Sequence, residues 1–136
     1  RFHPYFLKQY NGRWFSFGFN ETTGIDTWNV PLDRIQSLEE VEGDYRSDEI
    51  DWEDYFHDIV GVTRNDGEPR ELILRCTALR APYIITKPLH PSQKPPKWLD
   101  DGSAEFRIKV IPNLELESLI NSFGSDLKVI EPNLLP

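Results

Sequence analysis

Aromatic and aliphatic residues recur through the first thirty positions between short polar turns, the pattern of strands joined by tight turns. Residues 5–10 and 13–19 carry that pattern on either side of Asn11-Gly12. This pair tolerates the positive φ angles of a two-residue turn, so the chain opens on a hairpin. Across the second strand Arg13, Phe15, Phe17 and Phe19 point one way, while Trp14, Ser16 and Gly18 point the other. A turn over 21–24 leads to a third strand over 25–30. Pro31 then limits ladder pairing before a further strand over 33–41. The pattern predicts a small barrel-like sheet. From Asp51 the rhythm becomes helical, and Trp52, Tyr55, Phe56 and Ile59 form one stripe that closes the open end of that sheet.

Residues 65–69, Asn-Asp-Gly-Glu-Pro, are a polar turn cluster and mark the junction of two halves, 1–65 and 70–136. The second half alternates strands with helices. Residues 71–76 have β character, and 77–86 hold a short helix with Pro82 in its first turn. Pro88, Pro91, Pro95 and Pro96 confine the next stretch to a loop or an edge strand. Asp101-Gly102 turns the chain into a strand over 105–110, with Phe106, Ile108 and Val110 toward the core. Asn113 caps a helix bearing Leu116, Leu119, Ile120 and Phe123; Gly124 ends it, and 127–130 form a last strand. The order strand, helix, strand, strand, helix, strand is the split βαβ arrangement of a ferredoxin-like sheet. The fold class is therefore mixed α+β.

Charge alters this picture in one region. The net charge is −8 over 136 residues, yet positions 39–58 hold ten acids and one base, Arg46, leaving the rest of the chain at +1. Residues 1–20 contain Arg1, Lys8 and Arg13 and no acid. Arg75, Arg80, Lys87, Lys94 and Lys97 lie between Glu71 and Asp100. Such a balance argues against a protein that coats nucleic acid by electrostatics alone. Aromatics interleave with the two basic stretches, as they do both in a half-buried sheet and in a surface that stacks bases and pairs phosphates. The acidic block reads as a solvated face, without the glycine and terminal glutamate of a calcium loop.

Candidate chemistry is sparse. His3, His57 and His90 lie far apart, with no zinc-binding spacing. No phosphate loop, nucleophile elbow or dinucleotide fingerprint occurs. Cys76 stands in an apolar strand, where a lone cysteine acts as a small hydrophobe. No cofactor and no enzymatic activity are expected. With one cysteine there is no internal disulfide, no run reaches the ~18 apolar residues of a membrane helix, and no secretory pattern opens the chain, so the cytoplasm is the expected compartment. Arg1 first and no methionine suggest the later part of a longer product.

The opening twenty residues, with Pro4-Tyr5 and Trp14-Phe15-Ser16, followed by Leu32-Asp33-Arg34-Ile35, resemble the WYL domain of bacterial transcriptional regulators. Trp14-Phe15-Ser16 stands where that family has Trp-Tyr-Leu. The second half, through His90-Pro91-Ser92-Gln93, Asp101-Gly102, Ser122-Phe123-Gly124 and Glu131-Pro132, resembles the C-terminal extension that follows such domains. The resemblance implies an Sm-like, SH3-type barrel followed by a ferredoxin-like domain. It also implies an upstream DNA-binding helix-turn-helix and the sensing of an anionic effector such as single-stranded nucleic acid or a nucleotide; the family's first barrel strand would precede Arg1, and the sheet edge this exposes makes a homodimer the expected state. Carried over by position, Arg1, Tyr5, Arg13, Trp14 and Arg34 stand at or behind a basic, aromatic pocket, and His90, Ser92 and Gln93 face a ligand between domains. Three other readings stand beside these: core packing for Tyr5 and Trp14, a structural salt bridge for Arg34, and backbone satisfaction for His90, Ser92 and Gln93. A constitutive dimerisation scaffold with no ligand is the alternative function.

Overall fold

A computed structural model describes residues 1–131. Pro132, second of the Glu131-Pro132 pair, lies outside the described residues. Two compact units divide the chain, Arg1–Tyr55 and a second beginning at Phe56. The fold is mixed α+β, with one antiparallel sheet in each unit.

The first unit is a three-stranded meander of β1 (Phe2–Tyr10), β2 (Arg13–Asn20) and β3 (Ile25–Pro31). Asn11 and Gly12, at φ 52° and 77°, form the predicted turn, and Tyr10 pairs with Arg13 across it. The register shifts between Pro4 and Phe6, so Tyr5 sits in a bulge opposite Gly18. Phe15 and Phe17 are buried. The indole of Trp52, opening helix α1 (Trp52–His57), lies 5.6 Å from the Phe6 ring at 13° and 5.7 Å from that of Phe17.

The strand expected over 33–41 is not present. Leu32–Arg34 form a 3-10 turn instead, and no helix or strand follows until α1. The reason lies in the spacing: Leu32, Ile35, Leu38 and Val41 recur every third residue, so neither face of a strand collects them. The acids between them favour water. Among the described residues the first sheet has three strands and does not close into a barrel.

The second unit runs β4 (Arg70–Cys76), α2 (Ala81–Thr86), β5 (Lys97–Trp98), β6 (Ala104–Val110), α3 (Leu114–Asn121) and β7 (Leu127–Glu131). Its sheet order is β5-β6-β4-β7, every pair antiparallel. Strict alternation buries Leu72, Leu74 and Cys76 on β4 and Phe106, Ile108 and Val110 on β6, with Ile84 of α2 and Leu116 and Ile120 of α3 also buried. Pro82 occupies the first turn of α2, where its missing N–H costs nothing. The Asn113 side chain caps α3 by accepting from Leu116 N at 2.8 Å.

Candidate functional site

The hairpin fixes where each expected side chain goes. Arg13, first after the turn, makes a forked pair with Asp33, Nε to Oδ2 at 3.0 Å and Nη2 to Oδ1 at 2.9 Å. That hydrogen bond raises the Arg13 pKa and holds the Asp33 carboxyl below its usual range. Arg34, next to it on the 3-10 turn, is exposed and makes no hydrogen bond or ion pair among the described residues. Trp14 is 47% exposed and points to the face opposite Arg13. Arg1 lies at the far end of the ladder, roughly 25 Å from the turn at strand rise. There its Nε is 3.8 Å from Glu21. The five residues therefore do not converge: Arg13 and Arg34 share the hairpin tip, Trp14 takes the other face, and Tyr5 and Arg1 stand further along β1.

Tyr5 lines a cavity of about 390 Å³ with Asp26, Arg46, Asp48, Glu49 and Ile50. Its outer wall is the segment after the 3-10 turn, tied down at three points. Tyr45 Oη donates to Pro4 O at 2.7 Å, Arg46 N donates to His3 Nδ1 at 2.9 Å, and Trp52 Nε1 donates to Asp48 Oδ2 at 2.6 Å. Because a backbone N–H can only donate, Nδ1 of His3 accepts and Nε2 carries the proton to Glu21 Oε1 at 2.9 Å. That bond, more than the nearby Arg1 charge, holds the Glu21 carboxyl low. The Arg46 guanidinium lies 3.8 Å from the Phe19 ring centroid, a cation–π contact. Burial raises the Tyr5 pKa, with Arg46 opposing it, so the phenol stays protonated and can donate. Three carboxylates and one guanidinium make this a cavity of mixed charge, suited to hydrogen-bonded recognition. Sequence reasoning passed over His3, Tyr45 and Arg46. The one signal available was a lone base at the centre of an acidic block.

In the second unit His90, Ser92 and Gln93 bind backbone. His90 is buried, its Nε2 donating to His57 O at 2.8 Å while Nδ1 accepts from Ser92 N at 3.0 Å and from Ser92 Oγ at 2.7 Å. Ser92 Oγ in turn accepts from Lys109 N at 2.8 Å. Gln93 accepts from Leu89 N at 2.9 Å and donates to Ile84 O at 3.0 Å. These bonds replace ladder contacts that a proline-rich segment cannot make. Burial also raises the pKa of the Cys76 thiol, which suits packing better than nucleophilic attack. Among the described residues no group of three or more His, Cys, Asp or Glu could hold a metal ion, and no helix is long and apolar enough to cross a membrane.

Burial pushes the His90 pKa below 6.5, outweighing the hydrogen bond to His57. The unfolded histidine takes a proton near pH 6.5, and the folded one only at lower pH. Through that window the unfolded chain binds more protons, so stability is full above it and declines as pH falls. Urea midpoints taken between pH 7.5 and 5 are expected to fall, and to fall less steeply in His90→Gln. An equal slope in the variant would assign the acid sensitivity to another group.

Residues 68–135 match the family of the WCX domain, a domain found in WYL-type regulators. No curated protein matches the chain.

Proposed function

Since the chain belongs to the WCX-domain family, we propose that it is the effector-sensing and oligomerising region of a WYL-type bacterial transcriptional regulator. In this reading the first unit is a WYL-type domain of Sm-like descent and the second a ferredoxin-like extension. The order β5-β6-β4-β7, with a helix in each crossover, supports the second assignment. The single observation that carries the function is the succession along one chain: Trp14-Phe15-Ser16 on β2, Leu32-Asp33-Arg34-Ile35 on the 3-10 turn, then the WCX match.

The effector is anionic, a nucleic acid or nucleotide, and the protein binds it without turnover, in the cytoplasm. The hairpin tip receives it. Arg34 offers an unengaged guanidinium there, and a phosphate can compete with Asp33 for the Arg13 fork. A ligand bound more tightly by one dimer arrangement shifts the population toward it, and so moves DNA-reading heads encoded upstream. A second reading, a constitutive dimerisation scaffold, draws on the same pairs: Glu21 beside Arg1 and Asp33 on Arg13 already neutralise two of the three arginines.

Titration with a short single-stranded oligonucleotide at several salt concentrations separates the two. A sensor loses affinity as salt rises. Arg34→Ala is expected to weaken binding about tenfold, and Asp33→Ala to strengthen it by freeing Arg13. Absence of binding at low salt would leave the scaffold reading.

A further inference from the structure

Within the second unit, alternation sends the buried residues of β4 and β6 to one side of the sheet and leaves charged residues on the other, its open side. On the open side the register sets Lys97 beside Glu105, Glu105 beside Arg75, and Arg75 beside Lys128; Ile73 pairs with Arg107 and Glu71 with Lys109. By register five cations thus share this side with Glu71, Glu105 and, opposite Ile73, Glu131, on a chain whose net charge is −8; Lys94 adds a further cation 3.6 Å from Glu71. Arg75 reaches Glu105 at 3.1 Å and Arg107 reaches Glu71 at 2.7 Å. The ammonium groups of Lys97, Lys109 and Lys128 have no ion pair among the described residues.

The complement lies on the same chain. Residues 38–44 read Leu-Glu-Glu-Val-Glu-Gly-Asp, with Leu38 85% and Val41 53% exposed. Glu39, Glu40, Glu42 and Asp44 are exposed and make no hydrogen bond or ion pair among the described residues. Extended chain from 39 to 44 covers roughly 17 Å, and the four strands from Lys97 to Lys128 span about 14 Å. Carboxylates interrupted by aliphatics match cations interrupted by Ile73 and the exposed Ile130.

We infer that the open face of this sheet in one copy receives the acidic segment 38–44 of a second copy. Each copy gives one segment and accepts one, which closes the pair by two-fold symmetry. A polypeptide suits the face better than a nucleic acid. The open positions of its two central strands carry no aromatic ring for a base to stack on, and Glu71 and Glu105 repel phosphates. The inference rests on the oligomerising role proposed above and specifies its contact.

Sedimentation velocity of the full chain tests it. The dimer is expected to weaken at least about tenfold between 0.05 and 0.5 M salt. It is expected to weaken as much when Glu39, Glu40 and Glu42 are changed to lysine, or when Lys109 and Lys128 are changed to glutamate. Mixing the two reversed variants should restore dimers, because each then meets a complementary surface. A dimer indifferent to salt and to both reversals overturns the inference and leaves the oligomerising role standing; a wild-type monomer at every concentration removes both. Face reversals that abolish oligonucleotide binding without touching association overturn it in favour of a nucleic-acid surface.

Discussion

Gly18→Ala is expected to destroy the first sheet. Gly18 pairs with Pro4 on one side and Trp28 on the other, opposite the Tyr5 bulge. A Cβ built there enters the contact shell of the His3 carbonyl oxygen and comes within 2.7 Å of the Phe2 ring. The carbonyl belongs to the ladder and cannot swing aside, so the methyl group forces β1 off β2. A loss above about 4 kcal/mol is expected, the range reserved for such backbone collisions. The change reaches the candidate site because His3 also anchors Arg46. Near-ultraviolet circular dichroism reads it: the aromatic signal of Trp14, Trp28 and Trp52 should collapse in the variant. A midpoint within about 1 kcal/mol of wild type would mean that the ladder tolerates a side chain there.

Asn113→Ala carries the second large effect, on the other unit. Its carbonyl caps α3, and its amide donates to Val60 O at 2.8 Å and Thr63 O at 2.7 Å. Loss of the cap costs about 1 kcal/mol. Two carbonyls left without a donor add about 1 to 3 kcal/mol each where water cannot reach them. A total of about 3 to 7 kcal/mol is expected in urea unfolding. Asn113→Asp keeps an acceptor for Leu116 N but removes both donors, so it should recover only the capping part. Full recovery by aspartate would show that the loop contacts contribute nothing.

Local chemistry made part of this architecture legible. Asn11-Gly12 names its own turn, Asn113 its own cap, and the alternation of Phe106, Ile108 and Val110 names a core face, because each depends on neighbours within a few residues. Leu32, Ile35, Leu38 and Val41 misled, since an apolar run without period two can be drawn as a strand only if spacing is ignored. The candidate site was harder. Arg13 and Asp33 are twenty residues apart, and Arg46 donates to a histidine forty-three residues before it. No periodicity encodes such meetings; they arise from the register of β1 against β2 and from a segment with no repeating structure. The resemblance at the hairpin named Arg13 and Arg1 without supplying Asp33 and Glu21, the carboxylates they meet.

Asp33 has one more consequence. A carboxylate held by the chain beside Arg13 is an intramolecular competitor for any anion that would use the same fork. The pair is exposed on both sides, so salt screens it. In the proposed sensor, an anion that engages Arg13 would therefore release Asp33 to water, and binding there would be an exchange of one carboxylate for another acid.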